Sequence, residues 1–156
     1  MVIKLKKTGG FEVSEKQNTV ELSDGVVTYG DFHFNEPGEY EADGIGVIFG
    51  QNAAMITWQK LQVVYIFNCV TPTKFEEEEF SSADAIMFDE KIACETKPSI
   101  MELTDIYDPR VVIYSSRGEV LANLKDTVKV DAVDSVKISA TLLPDEGRRD
   151  LYSLNG

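Results

Sequence analysis

Few side chains in this sequence have the type and spacing that chemistry requires. The one histidine, His33, sits in Phe32-His33-Phe34. On a strand its two neighbours point to the opposite face, so His33 has no second imidazole or nucleophile beside it. It reads as structural. A mononuclear zinc site of the usual kind takes at least three protein ligands. No spacing of His33 with acids or cysteines supplies them, so no metal is expected. Cys69 and Cys94 both lie in or beside apolar segments. They are expected to be buried free thiols in a reducing compartment. Neither belongs to a CxxC pair or carries a catalytic signature. No Gly-x-Ser-x-Gly elbow occurs.

Three other features bear on ligands. Glu76-Glu77-Glu78-Glu79 is a run of acids, but four consecutive residues splay around a helix and cannot converge on one ion. A calcium loop alternates its ligands around a central glycine. The run is therefore expected to be a solvated helix face. Gly44-Ile45-Gly46 leads into strand-like residues rather than a helix, so it offers no phosphate cradle. Arg148-Arg149 is the paired arginine; it is expected to answer acids of its own domain, the alternative being the acidic surface of a neighbouring subunit.

The elements that must position these residues change character along the chain. Residues 1 to about 70 alternate with the two-residue period of strands. Candidate strands are 2–6, 11–13, 19–22, 26–29, 32–34, 39–42, 45–49, 55–58 and 61–67. The turn signals between them are Gly9-Gly10, Ser23-Asp24-Gly25, Gly30-Asp31, Asn35-Glu36-Pro37-Gly38 and Gln59-Lys60. Leu61-Gln62-Val63-Val64-Tyr65-Ile66-Phe67 is nearly continuous in apolar residues, as in a strand buried on both faces. From Thr71 onward helices enter. Residues 73–80 predict a short acidic helix with Phe75 and Phe80 inward. Residues 97–107 have apolar positions at 100, 103 and 107, with Pro98 in the first turn. Residues 117–124 predict a third helix. Buried strands are expected at 85–88 and 111–114, and short ones at 128–130, 136–139 and 151–154. Strands first, then alternating strands and helices, imply an α/β (α+β) fold of mixed sheets with helices outside. The absence of repeats and linkers implies one domain over 1–156.

Composition narrows the classes of function. The chain has 156 residues, 43% hydrophobic and 27% charged, with 27 acids against 15 bases and a formal net charge of -12. Such a surface repels phosphate backbones and anionic lipid, which argues against nucleic-acid and membrane partners. No run approaches the roughly 18 apolar residues of a membrane helix, and no signal peptide opens the chain. The expected setting is cytoplasmic.

The segment Glu36-Pro37-Gly38-Glu39-Tyr40-Glu41-Ala42-Asp43-Gly44-Ile45-Gly46-Val47 resembles the PGEYE-x-x-G-[VI] segment of a bacterial branch of the metallo-β-lactamase superfamily. That branch contains predicted zinc-dependent hydrolases similar to ascorbate-phosphate lactonase. The order of the other pieces agrees with it, including Leu-Pro-Asp-Glu-Gly near the end. The resemblance implies a metallo-β-lactamase-like sandwich with a few short outer helices. The departures are in the chemistry. The family's HxHxDH motif would fall between Gly25 and Glu36, where only about ten residues stand, and it is missing. The position of the family's aspartate ligand falls at Cys69, and that of its last histidine near Ser116. The chain therefore reads as a trimmed, degenerate member without metal or cofactor.

Two functions follow as expectations. The first is a non-catalytic module that binds a protein partner or forms a homo-oligomer through exposed sheet edges. The second is a metal-free enzyme, or a small-anion binder, in the remnant cleft. The resemblance brings Cys69, Ser115, Ser116 and Arg117 to neighbouring strand ends there. Arg117 would lower the thiol pKa of Cys69 in the enzyme, or hold the anion in the binder.

Overall fold

The period-two runs of the first half become strands, as the alternation requires. A computed structural model describes residues 1–94, 97–124 and 128–156. In chain order its first nine strands are β1 (Val2–Leu5), β2 (Phe11–Glu15), β3 (Asn18–Ser23), β4 (Val26–Tyr29), β5 (Phe32–Phe34), β6 (Gly38–Ala42), β7 (Ile45–Phe49), β8 (Ala53–Trp58) and β9 (Leu61–Ile66). Helix α1 (Lys74–Phe80), β10 (Ala85–Phe88), α2 (Ile100–Tyr107), β11 (Val111–Ser115) and α3 (Glu119–Leu124) follow. The chain closes with β12 (Asp131–Val133), β13 (Val136–Lys137) and β14 (Asp150–Leu154).

These strands form two mixed-size sheets. The smaller, in order β13-β1-β2-β3-β4-β5, is antiparallel throughout. The larger has the order β12-β14-β11-β10-β9-β8-β7-β6. Its β6 to β9 meander is antiparallel, whereas β9, β10, β11, β14 and β12 run parallel. One apolar layer lies between the sheets. It joins Ile3, Phe11, Val13, Val20 and Leu22 of the small sheet to Val47, Ile56, Val63, Tyr65, Met87 and Ile113 of the large one. A second layer packs Val64, Ile66, Ile86, Phe88, Val112 and Tyr114 against Phe80, Leu103, Tyr107 and Val120 of the helices. The parallel strands are thus covered on both faces, which is why their sequences lack alternation.

The hairpin across Gly30-Asp31 and the β8–β9 hairpin form as expected. Gln59 and Lys60 both adopt positive φ, 54° and 63°, the geometry of a tight primed turn. Several expectations are corrected. Phe75 is exposed, and Glu76, expected in solvent, is wholly buried in its place. Pro98 precedes the Ser99 N-cap of α2 rather than lying in its first turn. The third helix begins at Glu119, because Arg117 and Gly118 form a turn after β11. The strand expected at 128–130 forms instead at Asp131–Val133. No helix among the described residues is long and apolar enough to cross a membrane.

Candidate functional site

The ends of β10 and β11 meet the turns of the small sheet, and a charged residue holds the junction. Glu90 follows β10. One of its carboxylate oxygens, Oε1, accepts the Gly10 N–H at 2.8 Å. Its Oε2 accepts the Ser115 hydroxyl at 2.9 Å and Arg117 Nε at 3.1 Å. The Ser115 oxygen in turn accepts the Arg117 N–H at 3.1 Å, and Arg117 Nη2 donates to the Lys6 carbonyl at 2.8 Å. The network spans from the β1–β2 turn of the small sheet to two strand ends of the large one. Glycine is required at Gly10: φ is +83°, and a Cβ there would lie 2.3 Å from the Leu22 carbonyl oxygen.

A second, deeper polar pair lies beside it. Asp89 is 3% exposed, and its Oδ1 has no hydrogen-bond partner among the described residues. The Tyr65 hydroxyl faces this carboxyl and accepts the Gly25 N–H at 3.1 Å. Burial raises the Asp89 pKa against the opposing hydrogen bond from Tyr65, and Asp24 and Glu90 raise it further. Burial also pushes the Tyr65 phenol far above its ordinary value, with the Asp89 charge adding to it. Above the pair, Lys91 Nζ lies 2.7 Å from Asp24 Oδ1. That hydrogen-bonded ion pair raises the Lys91 pKa. With Asp89 and Tyr65 both enclosed, neither can reach a substrate in this arrangement.

The residues singled out in the sequence divide into two groups. Ser115 and Arg117 meet on Glu90. Ser116 is exposed, and its N–H binds the Leu154 carbonyl at 3.0 Å. Cys69 does not join them. The expectation of free thiols is overturned, since Cys69 and Cys94 form a disulfide with their Cα atoms 5.2 Å apart. The reason is topological: Cys69 lies just beyond β9 and Cys94 just beyond β10, and these strands are parallel neighbours. A thiolate at Cys69 activated by Arg117 is therefore excluded in this state, and Arg117 itself is engaged by Glu90. His33 is exposed on β5, 3.2 Å from the Thr28 hydroxyl. Arg149 answers Asp105 and Asp108 of its own domain, each at 3.1 Å.

Sequence reasoning missed Glu90, Asp89 and Tyr65. The only signal was weak: Asp89-Glu90 directly follows a fully apolar strand, where buried charge needs a partner.

No family model matches the chain, and no curated protein is similar to it in sequence. Among solved structures, it is similar to a Thermotoga maritima protein proposed to be a Zn-dependent hydrolase of the metallo-β-lactamase superfamily. The TM-score is 0.66 at 13% identity, and the match covers 99% of this chain and 98% of the other. The fold is thus metallo-β-lactamase-like, and the two chains correspond nearly end to end. Such a fold implies zinc, and the residues present do not fit it. The positions that the resemblance pairs with metal ligands hold a disulfide sulfur at Cys69 and a lone hydroxyl at Ser116. Both oxygens of Glu90 and the carboxylate of Asp24 are engaged by protein donors. Among the described residues no three His, Cys, Asp or Glu side chains are grouped to hold a metal ion.

Proposed function

We propose that this chain is a non-catalytic domain of metallo-β-lactamase-like fold that acts by association, with a second copy of itself or with a protein partner. The Glu90 network carries the reading. It spends on the fold the groups that a remnant active site would need: the Ser115 hydroxyl, the Arg117 guanidinium and the Glu90 carboxylate they share. Association is then a matter of surface. The β5 edge supports self-association. It carries no acid within Phe32-His33-Phe34, and Phe32 is 54% exposed. Phe32 stacks on Phe34, and Phe34 on Tyr40, giving a row of aromatic rings at the sheet end. An uncharged strand edge can pair with its own copy, whereas the β6 edge, with Glu39 and Glu41, would repel itself.

Sedimentation equilibrium over a wide concentration range tests this. The expected result is a concentration-dependent mass that Phe32→Glu returns to monomer. A monomer at every concentration overturns self-association through β5. Hydrolase activity abolished by a chelator would overturn the non-catalytic reading.

A further inference from the structure

The opposite end of the large sheet, away from Glu90, holds a separate site. The loops leading into β10, β11 and β14 enclose a cavity of about 550 Å³. Its lining includes Asp84, Asp108, Arg110, Glu146, Arg148 and Arg149. The chain has four arginines, and three of them stand here. They stand opposite three acids of the same lining, Asp84, Asp108 and Glu146, so what matters is which of the charges are already engaged.

The loops are fixed by backbone hydrogen bonds. Ser82 N–H donates to the Tyr107 carbonyl, Val111 N–H to Asp84, and Asp150 N–H to Arg110, at 2.8, 3.1 and 2.9 Å. Several charges in the wall are already committed. Asp84 accepts the Gln62 N–H at 2.8 Å. Each side-chain nitrogen of Arg149 already donates one hydrogen bond, to Asp105, Asp108 and the Pro109 carbonyl. Arg110 and Arg148 are different. Their nearest acids are Glu146 at 3.8 Å and Asp150 at 3.7 Å, and neither guanidinium makes a hydrogen bond among the described residues. The Glu146 side chain is 93% exposed, so its pairing with Arg110 is weak and easily exchanged.

We propose that this cavity binds a phosphate-bearing small molecule, with Arg110 and Arg148 gripping the oxyanion. A guanidinium presents a planar fork of N–H donors that matches phosphate oxygens, and two forks held only by long ion pairs of 3.8 and 3.7 Å suit a dianion. The cavity is far larger than a phosphate ion and lies within the range of small-molecule pockets, roughly 300–1,000 Å³. The rest of the ligand therefore occupies it. The carboxylates of Glu146 and Asp84 favour hydroxyl or ammonium donors on that remainder.

Calorimetric titration of the full chain with inorganic phosphate and with pyrophosphate, at low ionic strength, tests the proposal. Saturable one-to-one binding is expected, weaker by about tenfold or more in R110Q/R148Q. The exposed pair K4Q/K74Q makes the same change in net charge elsewhere and should bind as the parent does. Thermal unfolding gives a second readout: phosphate should raise the Tm of the parent and not that of R110Q/R148Q, while the single variant R148Q, at a 72% exposed side chain, keeps the fold. Absence of saturable binding, full binding by R110Q/R148Q, or equal loss in K4Q/K74Q would each overturn it.

Discussion

The Glu90 carboxylate stands 2.9 Å from the Ser115 hydroxyl, across the ends of two adjacent parallel strands. Each would otherwise be a candidate for chemistry, and each is consumed by the other and by Arg117. Glu90→Ala leaves the Gly10 N–H and Arg117 Nε without their acceptor. A loss of about 2–3 kcal/mol in urea unfolding is expected. Glu90→Gln, which keeps one acceptor, should cost less.

Glu76 gives a larger effect. Its carboxylate accepts Asn52 N–H at 2.7 Å, Asn52 Nδ2 at 2.8 Å, and the N–H groups of Ala53 and Thr73, each at 3.0 Å. It also completes a capping box with Thr73. Glu76→Ala orphans these donors and should destabilise by about 3–5 kcal/mol. The exposed neighbours Glu77→Ala and Glu78→Ala should change stability by under about 0.5 kcal/mol in the same assay.

The disulfide predicts thiol chemistry directly. Native protein purified without reductant should show no reactive thiol toward a chromogenic disulfide reagent, and two after denaturation in reductant. Cys69→Ser/Cys94→Ser opens a loop of 25 residues, with an expected cost of about 3 kcal/mol by chain entropy. Two thiols titrating in the native protein would contradict the pairing.

Asp89 sets a pH dependence of the less common sign. Its pKa is raised in the folded state, so the native protein holds the proton more tightly than the unfolded chain. The contribution is fully present below the unfolded carboxyl pKa and is lost as pH rises through the folded value. Asp89→Asn removes this loss. It should be as stable as the parent at acidic pH and more stable at neutral pH, with a flatter profile between. A variant as stable as the parent at acidic pH but less stable at neutral pH would show instead that the ionised carboxylate is needed.

Local pattern carried much of the fold. The two-residue alternation of Phe11–Glu15 and Asn18–Ser23, the turn at Gln59-Lys60 and the unbroken apolar run of Leu61–Ile66 each follow from which faces are buried. Tertiary structure alone decided which polar groups meet. Cys69 and Cys94 pair because β9 and β10 are parallel neighbours, a register between distant segments that periodicity does not encode. Glu76 is buried while Glu77, Glu78 and Glu79 are not, because only Glu76 faces the unpaired N–H groups of Asn52 and Ala53. Glu90 becomes a latch for the same reason: a buried charge takes its role from the donors that folding brings to it, and those lie 80 residues away at Gly10 and 25 away at Ser115.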